Sequence, residues 1–222
     1  MFLNIMIQGA KTWKPYWVEV KDNFINISAD NGKEPFVSYH IGVLKVRPTN
    51  NYADRPDVLE FYDGDGFTSV SFFVFTYDPF DILDFFNQVC FAYKSWRESV
   101  ATDRQPIKGY QCSNIKVPGI FTGNTTWQLE SDRINILKSN AIQNTINLKD
   151  MKITPLWKGG AFKLQITSTG NETEYKLDNQ HMRELLDKIY KNAFILKLPN
   201  QQPTATPEAT PTEVKQNPPA TE

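Results

Sequence analysis

The chain predicts an α+β fold, mainly β, built as two small units in tandem, and three observations carry that prediction. Two stretches have helical periodicity, and each closes a long region of short strand-like runs. Compact turn signals separate those runs. The 222 residues suffice for two domains of about 100 residues each, and 40% hydrophobic residues can supply two cores.

The first helix is read from Ile82, Phe86, Val89, Tyr93 and Trp96, whose 4-3-4-3 spacing puts them on one face. Asp78-Pro79 before it supplies a capping carboxylate and a proline suited to the first turn. The second is read from Met182, Leu186, Ile189, Ala193 and Leu196, entered through Asp178 and Asn179.

In the first half the expected strands are Tyr16–Val20, Phe24–Ser28, Phe36–Ile41, Val43–Val46, Val58–Tyr62 and Ser69–Thr76. In the second they are Ile115–Phe121, Trp127–Glu130, Ile134–Leu137, Thr145–Ile153, Ala161–Thr167 and Thr173–Leu177. Lys21-Asp22-Asn23 and Ser131-Asp132-Arg133 are the hairpin turns that match between halves, with Trp17 and Trp127 at corresponding points. Asp63-Gly64-Asp65-Gly66 reads as another turn, since it lacks the third ligand and closing Glu of a calcium loop. Residues 1–100 form the first unit, 101–109 a linker and 110–198 the second. Residues 199–222, rich in Pro and Thr with almost no large apolar side chain, form a disordered tail.

Charge divides unevenly. Residues 1–107 carry 10 basic and 14 acidic side chains, residues 108–200 carry 13 and 8, and the whole chain is −1. That balance weighs against nucleic acid as a partner. Cys90 and Cys112 form no CxxC, and Cys90, among apolar helix neighbours, reads as a core thiol. No apolar run spans a bilayer and Met1–Ile7 lacks a basic leader, so a cytoplasmic protein is expected. His40 and His181 have no nucleophile of motif grade nearby. Gly-rich phosphate loops and metal-ligand spacings are also missing, so no enzyme, cofactor, metal or small-molecule substrate is expected.

The run Lys11-Thr12-Trp13-Lys14-Pro15-Tyr16-Trp17-Val18-Glu19-Val20, a turn, then Phe24-Ile25-Asn26-Ile27-Ser28, resembles the first hairpins of pleckstrin homology domains. Trp96 late in the first helix extends the resemblance, which covers about residues 1–98; residues 110–198 share it by architecture and the Trp127 hairpin. It implies two bent seven-stranded antiparallel sandwiches, each closed at one end by its helix. It also implies phosphoinositide headgroup binding in the first hairpin. Lys11 and Lys14 stand at two of the family's basic positions, while Tyr16 occupies the place of the Arg whose planar fork grips vicinal phosphates.

Three functional readings follow. The first is a non-catalytic adaptor or scaffold of the signalling kind, binding protein partners through Phe85, Phe91 and Tyr93; these belong to an aromatic surplus with Leu83 that is expected to cover the other unit. The second is a peripheral membrane module that holds anionic lipid weakly through Lys11, Lys14, Lys116, Lys138 and Lys158. The third is a histone- or nucleic-acid-linked role.

Overall fold

The computed structural model describes residues 1–7, 10–50, 52, 55, 57–63, 70–116, 124–158, 161–168, 171–176 and 179–199. The expected disordered tail beyond Pro199, most of the Asp63–Gly66 turn and the Asp178 cap lie outside them.

The architecture is α+β and mainly β. In the first half, strands β1 (Phe2–Ile7), β2 (Lys14–Lys21), β3 (Phe24–Ser28), β4 (Val37–His40), β5 (Leu44–Thr49), β6 (Val58–Asp63) and β7 (Val70–Phe75) precede helix α1 (Pro79–Thr102). In the second, β8 (Tyr110–Lys116), β9 (Asn124–Leu129), β10 (Arg133–Lys138), β11 (Ala141–Asn147), β12 (Met151–Lys158), β13 (Ala161–Ser168) and β14 (Asn171–Tyr175) precede α2 (Asn179–Lys197).

The first seven strands form one antiparallel sheet in the order β4-β3-β2-β1-β7-β6-β5. The second set runs β11-β10-β9-β8 and β12-β13-β14, and a bridge between Lys116 and Lys176, just past β14, joins the two pieces. Both halves therefore trace the same strand order before their helices.

Local chemistry explains the turns. Asp22 and Asn23 take φ of 52° and 65°, and Ser139 and Asn140 take 51° and 62°. These left-handed pairs close two-residue hairpins whose twist matches the strands, and Asn and Asp tolerate them best. Asp78 caps α1 by accepting from the Phe80 N–H at 2.9 Å, with Pro79 in the first turn.

Several expectations change. β1 was not among the expected strands, although Leu3, Ile5 and Ile7 alternate and are all buried. The run expected as one strand over Thr145–Ile153 is split by a turn at 148–150 into β11 and β12. Trp17 and Trp127 are not equivalent. Measured from the two-residue turns at 22–23 and 131–132, Val18 corresponds to Trp127. Trp127 is fully buried, while Trp17 packs edge-on to Phe2 on the opposite face of its sheet. A one-residue offset in a strand reverses every side chain.

In α1 the buried positions are Ile82, Phe85, Val89, Trp96 and Val100. Phe85, expected at a protein interface, is 1% exposed and packs against Phe61, itself stacked on Phe72 at 4.5 Å. It fills the first core and presents nothing to a partner. Leu83 and Phe91, expected to cover the second unit, are exposed at 54% and 76%. Cys90 is exposed rather than buried.

The halves meet through different residues. Alternation sends Ile25, Ile27, Val37 and Tyr39 into the first core and puts Asn26, Ser28, Ser38 and His40 on the opposite face, yet these polar residues are buried too. Helix α2 contacts that face. Arg183 donates to Asn26 Oδ1 at 3.2 Å, Ser38 donates to the same oxygen at 2.8 Å, and Asn23 donates to Asp187 at 3.3 Å. The buried Asn192 side chain binds both the N–H and the C=O of Ile107 and the C=O of Glu130, each within 2.9 Å, tying down the segment between the halves. Buried polar groups with full sets of partners specify one docking geometry. The hydrophobic cluster runs unbroken through both halves.

His40 sits at the centre of this contact, ringed by Phe24, Trp96 and Tyr190. Its Nδ1 accepts from the Gly42 N–H at 3.1 Å, so Nε2 carries the proton and donates to Asp187 Oδ1 at 3.1 Å. Burial lowers its pKa and outweighs the opposing pull of Asp187. Burial pushes the Asp187 carboxyl up, but hydrogen bonds from His40 and Asn23 and the charge of Lys188 leave it below the usual value. Protonating His40 costs the Gly42 N–H its acceptor. Because the unfolded chain binds this proton more readily, stability is expected to fall as pH drops below about 6.5, the ordinary imidazole value, with a slope up to about 1.4 kcal/mol per pH unit. Urea unfolding at neutral and mildly acidic pH checks this. His40→Gln is expected to flatten the dependence, and an unchanged slope would remove His40 from the account.

Candidate protein-docking groove

Strand β5 ends the first sheet, pairing with β6 on one side and with no strand on the other among the described residues. Pro48 fits this edge. Proline has no N–H to give a ladder, so its nitrogen faces the open side. By the two-residue alternation of antiparallel pairing, the Leu44 and Val46 N–H groups face the open side as well. A bidentate pair ties the edge to β6: the half-exposed Arg47 grips Glu60, only 4% exposed, through two hydrogen bonds of 3.0 Å.

Between this edge and α1 runs an apolar groove. One cavity of about 300 Å³ is walled by Val46, Pro48, Leu59, Ile82, Leu83 and Phe86. Another of about 300 Å³ is walled by Ile41, Leu44, Val46, Val89, Cys90 and Tyr93. Val46 lines both, so the two cavities adjoin along the strand. Leu83 and Cys90 form its exposed helix wall, with Lys45, Arg47 and Asp57 at the rim. An open strand edge beside apolar pockets is the geometry that takes up an extended segment, the main chain supplying hydrogen bonds and alternate side chains filling pockets.

Of the sequence-stated interface residues, Tyr93 lines this groove, Phe91 lies exposed two residues along the helix and so on another face, and Phe85 is in the core. Leu44, Val46 and Pro48 were not identified from sequence. The signal was Pro48 itself, since proline in a strand marks an edge.

The lysines occupy separate places. Lys11 and Lys14 are exposed, Lys14 opposite Ile5 at the start of β2. Trp13 between them is committed to an aromatic cluster with Tyr52, Phe73 and Phe75, where Arg55 lies 5.3 Å from the Trp13 ring and 4.8 Å from that of Phe75. Lys116 and Lys138 are exposed on strands separated by β9. The Lys158 side chain lies outside the described residues. Among the described residues no helix is long and apolar enough to cross a membrane, and no His, Cys, Asp and Glu cluster could hold a metal ion.

No protein-family model and no curated protein matches the chain. Among solved structures it is similar to the apo structure of the activated truncation of Vav1, at 11% identity and a TM-score of 0.39. The match covers 67% of this chain and 36% of that one, so the chain spans about a third of that structure's length.

Proposed function

We propose that the chain is a non-catalytic adaptor of two pleckstrin-homology-like units that binds an extended segment of a protein partner in the groove between β5 and α1. The carrying observation is the coincidence of an open strand edge, tied to its neighbour by the Arg47–Glu60 pair, with two adjoining apolar cavities beside it. Repetition of one strand order before each helix supports the tandem reading. A Leu-sized side chain buried in such a slot contributes roughly 1.5–3 kcal/mol before the cost of association is met.

Peptides selected from a random display library on the immobilised full chain test this. Leu83→Glu changes an exposed residue, leaves the fold intact and charges the groove wall; it is expected to weaken the selected peptides at least about tenfold, or about 1.4 kcal/mol. Selected peptides are also expected to shield Cys90 from thiol alkylation, while Cys112, already buried, stays unreactive. Undiminished binding by Leu83→Glu together with unchanged Cys90 reactivity would place the partner elsewhere.

A further inference from the structure

The second half contains a groove that matches part of this one, and residues of the first half help to line it. Val89, Cys90 and Tyr93 stand 10, 11 and 14 residues after the first residue of α1, and Ile189, Tyr190 and Ala193 stand at the same offsets in α2. Leu44 and Val46 on β5 are matched by Met151 and Ile153 on β12, and Ile41 before β5 by Leu148 before β12, at one constant separation. The residues walling the open slot of the first half thus recur in the second.

There, however, three further residues come from the first half: Gly42, Val43 and Trp96. They form part of the wall of the β12–α2 slot, whose cavity is about 90 Å³ against about 300 Å³ in its counterpart. The Trp96 ring is 5% exposed and meets Phe194 of α2 edge-on at 5.1 Å between centroids. Gly42 permits the approach, since a Cβ at that position would lie 2.4 Å from the ring. One of two matching grooves therefore has an aromatic ring from the first half in its wall, packed on Phe194 of α2.

Resting on the adaptor reading, we infer that the β5–α1 groove takes an aromatic side chain from its protein partner, seated among Leu44, Val46, Cys90 and Tyr93 as the Trp96 ring lies on Phe194 of α2 at the wall of the matching groove. The chain then has one open aromatic-accepting groove and binds one partner segment per molecule, its second groove being walled in part by its own first half.

The test titrates the isotope-labelled full chain with N-acetyl-tryptophanamide, N-acetyl-leucinamide and N-acetyl-argininamide, following amide resonances. The tryptophan amide is expected to move Leu44, Val46, Cys90 and Tyr93, with the other two at least about tenfold weaker. Cys90→Trp, which places a ring in the slot from an exposed helix position, is expected to abolish those shifts. Equal effects of the leucine and tryptophan amides, or shifts centred elsewhere, would overturn the inference. Selected peptides that bind the groove without an aromatic residue would defeat it while leaving the adaptor reading in place, and loss of all groove binding would defeat both. Concentration-dependent dimerisation that covers Cys90 would assign the groove to a second copy and likewise overturn the inference.

Discussion

Replacing Trp96 by alanine is expected to cost about 3–5 kcal/mol of unfolding free energy, the range for removing a large aromatic side chain from a packed interior. Trp96 is 5% exposed, and its ring meets His40 at 5.1 Å, Phe194 at 5.1 Å and Tyr93 at 6.3 Å. Those partners come from β4, α2 and α1, so the loss falls on the first half and on its contact with the second at once. The surroundings have little freedom to collapse into the gap, because His40 is held at both ring nitrogens by Gly42 and Asp187. Chemical denaturation followed by far-UV and near-UV circular dichroism measures the effect. A loss below about 1 kcal/mol would place Trp96 on the surface rather than between the halves.

Gly42→Val carries the next largest effect. A Cβ at residue 42 falls 2.4, 2.6 and 2.8 Å from three atoms of the Trp96 ring, closer than real Cβ contacts occur. The ring cannot withdraw without losing Phe194, so the substitution forces it away from α2. Overpacking of this kind costs typically about 1–3 kcal/mol, occasionally more. The double variant separates this clash from any general backbone effect: once Trp96 is alanine, Gly42→Val is expected to cost much less. A cycle coupling energy of about 1–3 kcal/mol is the expected result, and strict additivity would mean that the two residues do not meet.

Much of the fold was legible because its signals are local. Both helices show in their apolar spacing, the Asp78-Pro79 start in its capping chemistry, and the β2–β3 hairpin in Lys21-Asp22-Asn23. What was missed had local, register and tertiary causes. The alternation of Leu3, Ile5 and Ile7 marks β1, though three apolar positions at the chain's start are a short signal. The turn at 148–150 contains neither Gly nor Pro, so β11 and β12 read as one strand. Helical periodicity put Phe86 and Tyr93 in the main stripe, but Ile82 and Val89 share a face equally with Phe85 at 3-4 spacing, and it is Phe85 that is buried. The covering of His40, Ser38 and Asn26 by α2 was not legible, because nothing in a strand sequence announces that its polar face is to be buried by another unit. Of the candidate site, Tyr93 was identified from sequence and Leu44, Val46 and Pro48 were not, since a groove between a strand edge and a helix exists only after both are placed.

The claim on which function turns is that two matching grooves exist and only the first is open. Amide spectra of the full chain, recorded with and without a selected peptide, test it most directly. The account predicts shifts confined to Leu44–Thr49 and the facing turns of α1 from Ile82 to Tyr93, with Met151, Ile153, Ile189 and Ala193 unmoved. Shifts at β12 and α2 with β5 silent would contradict it.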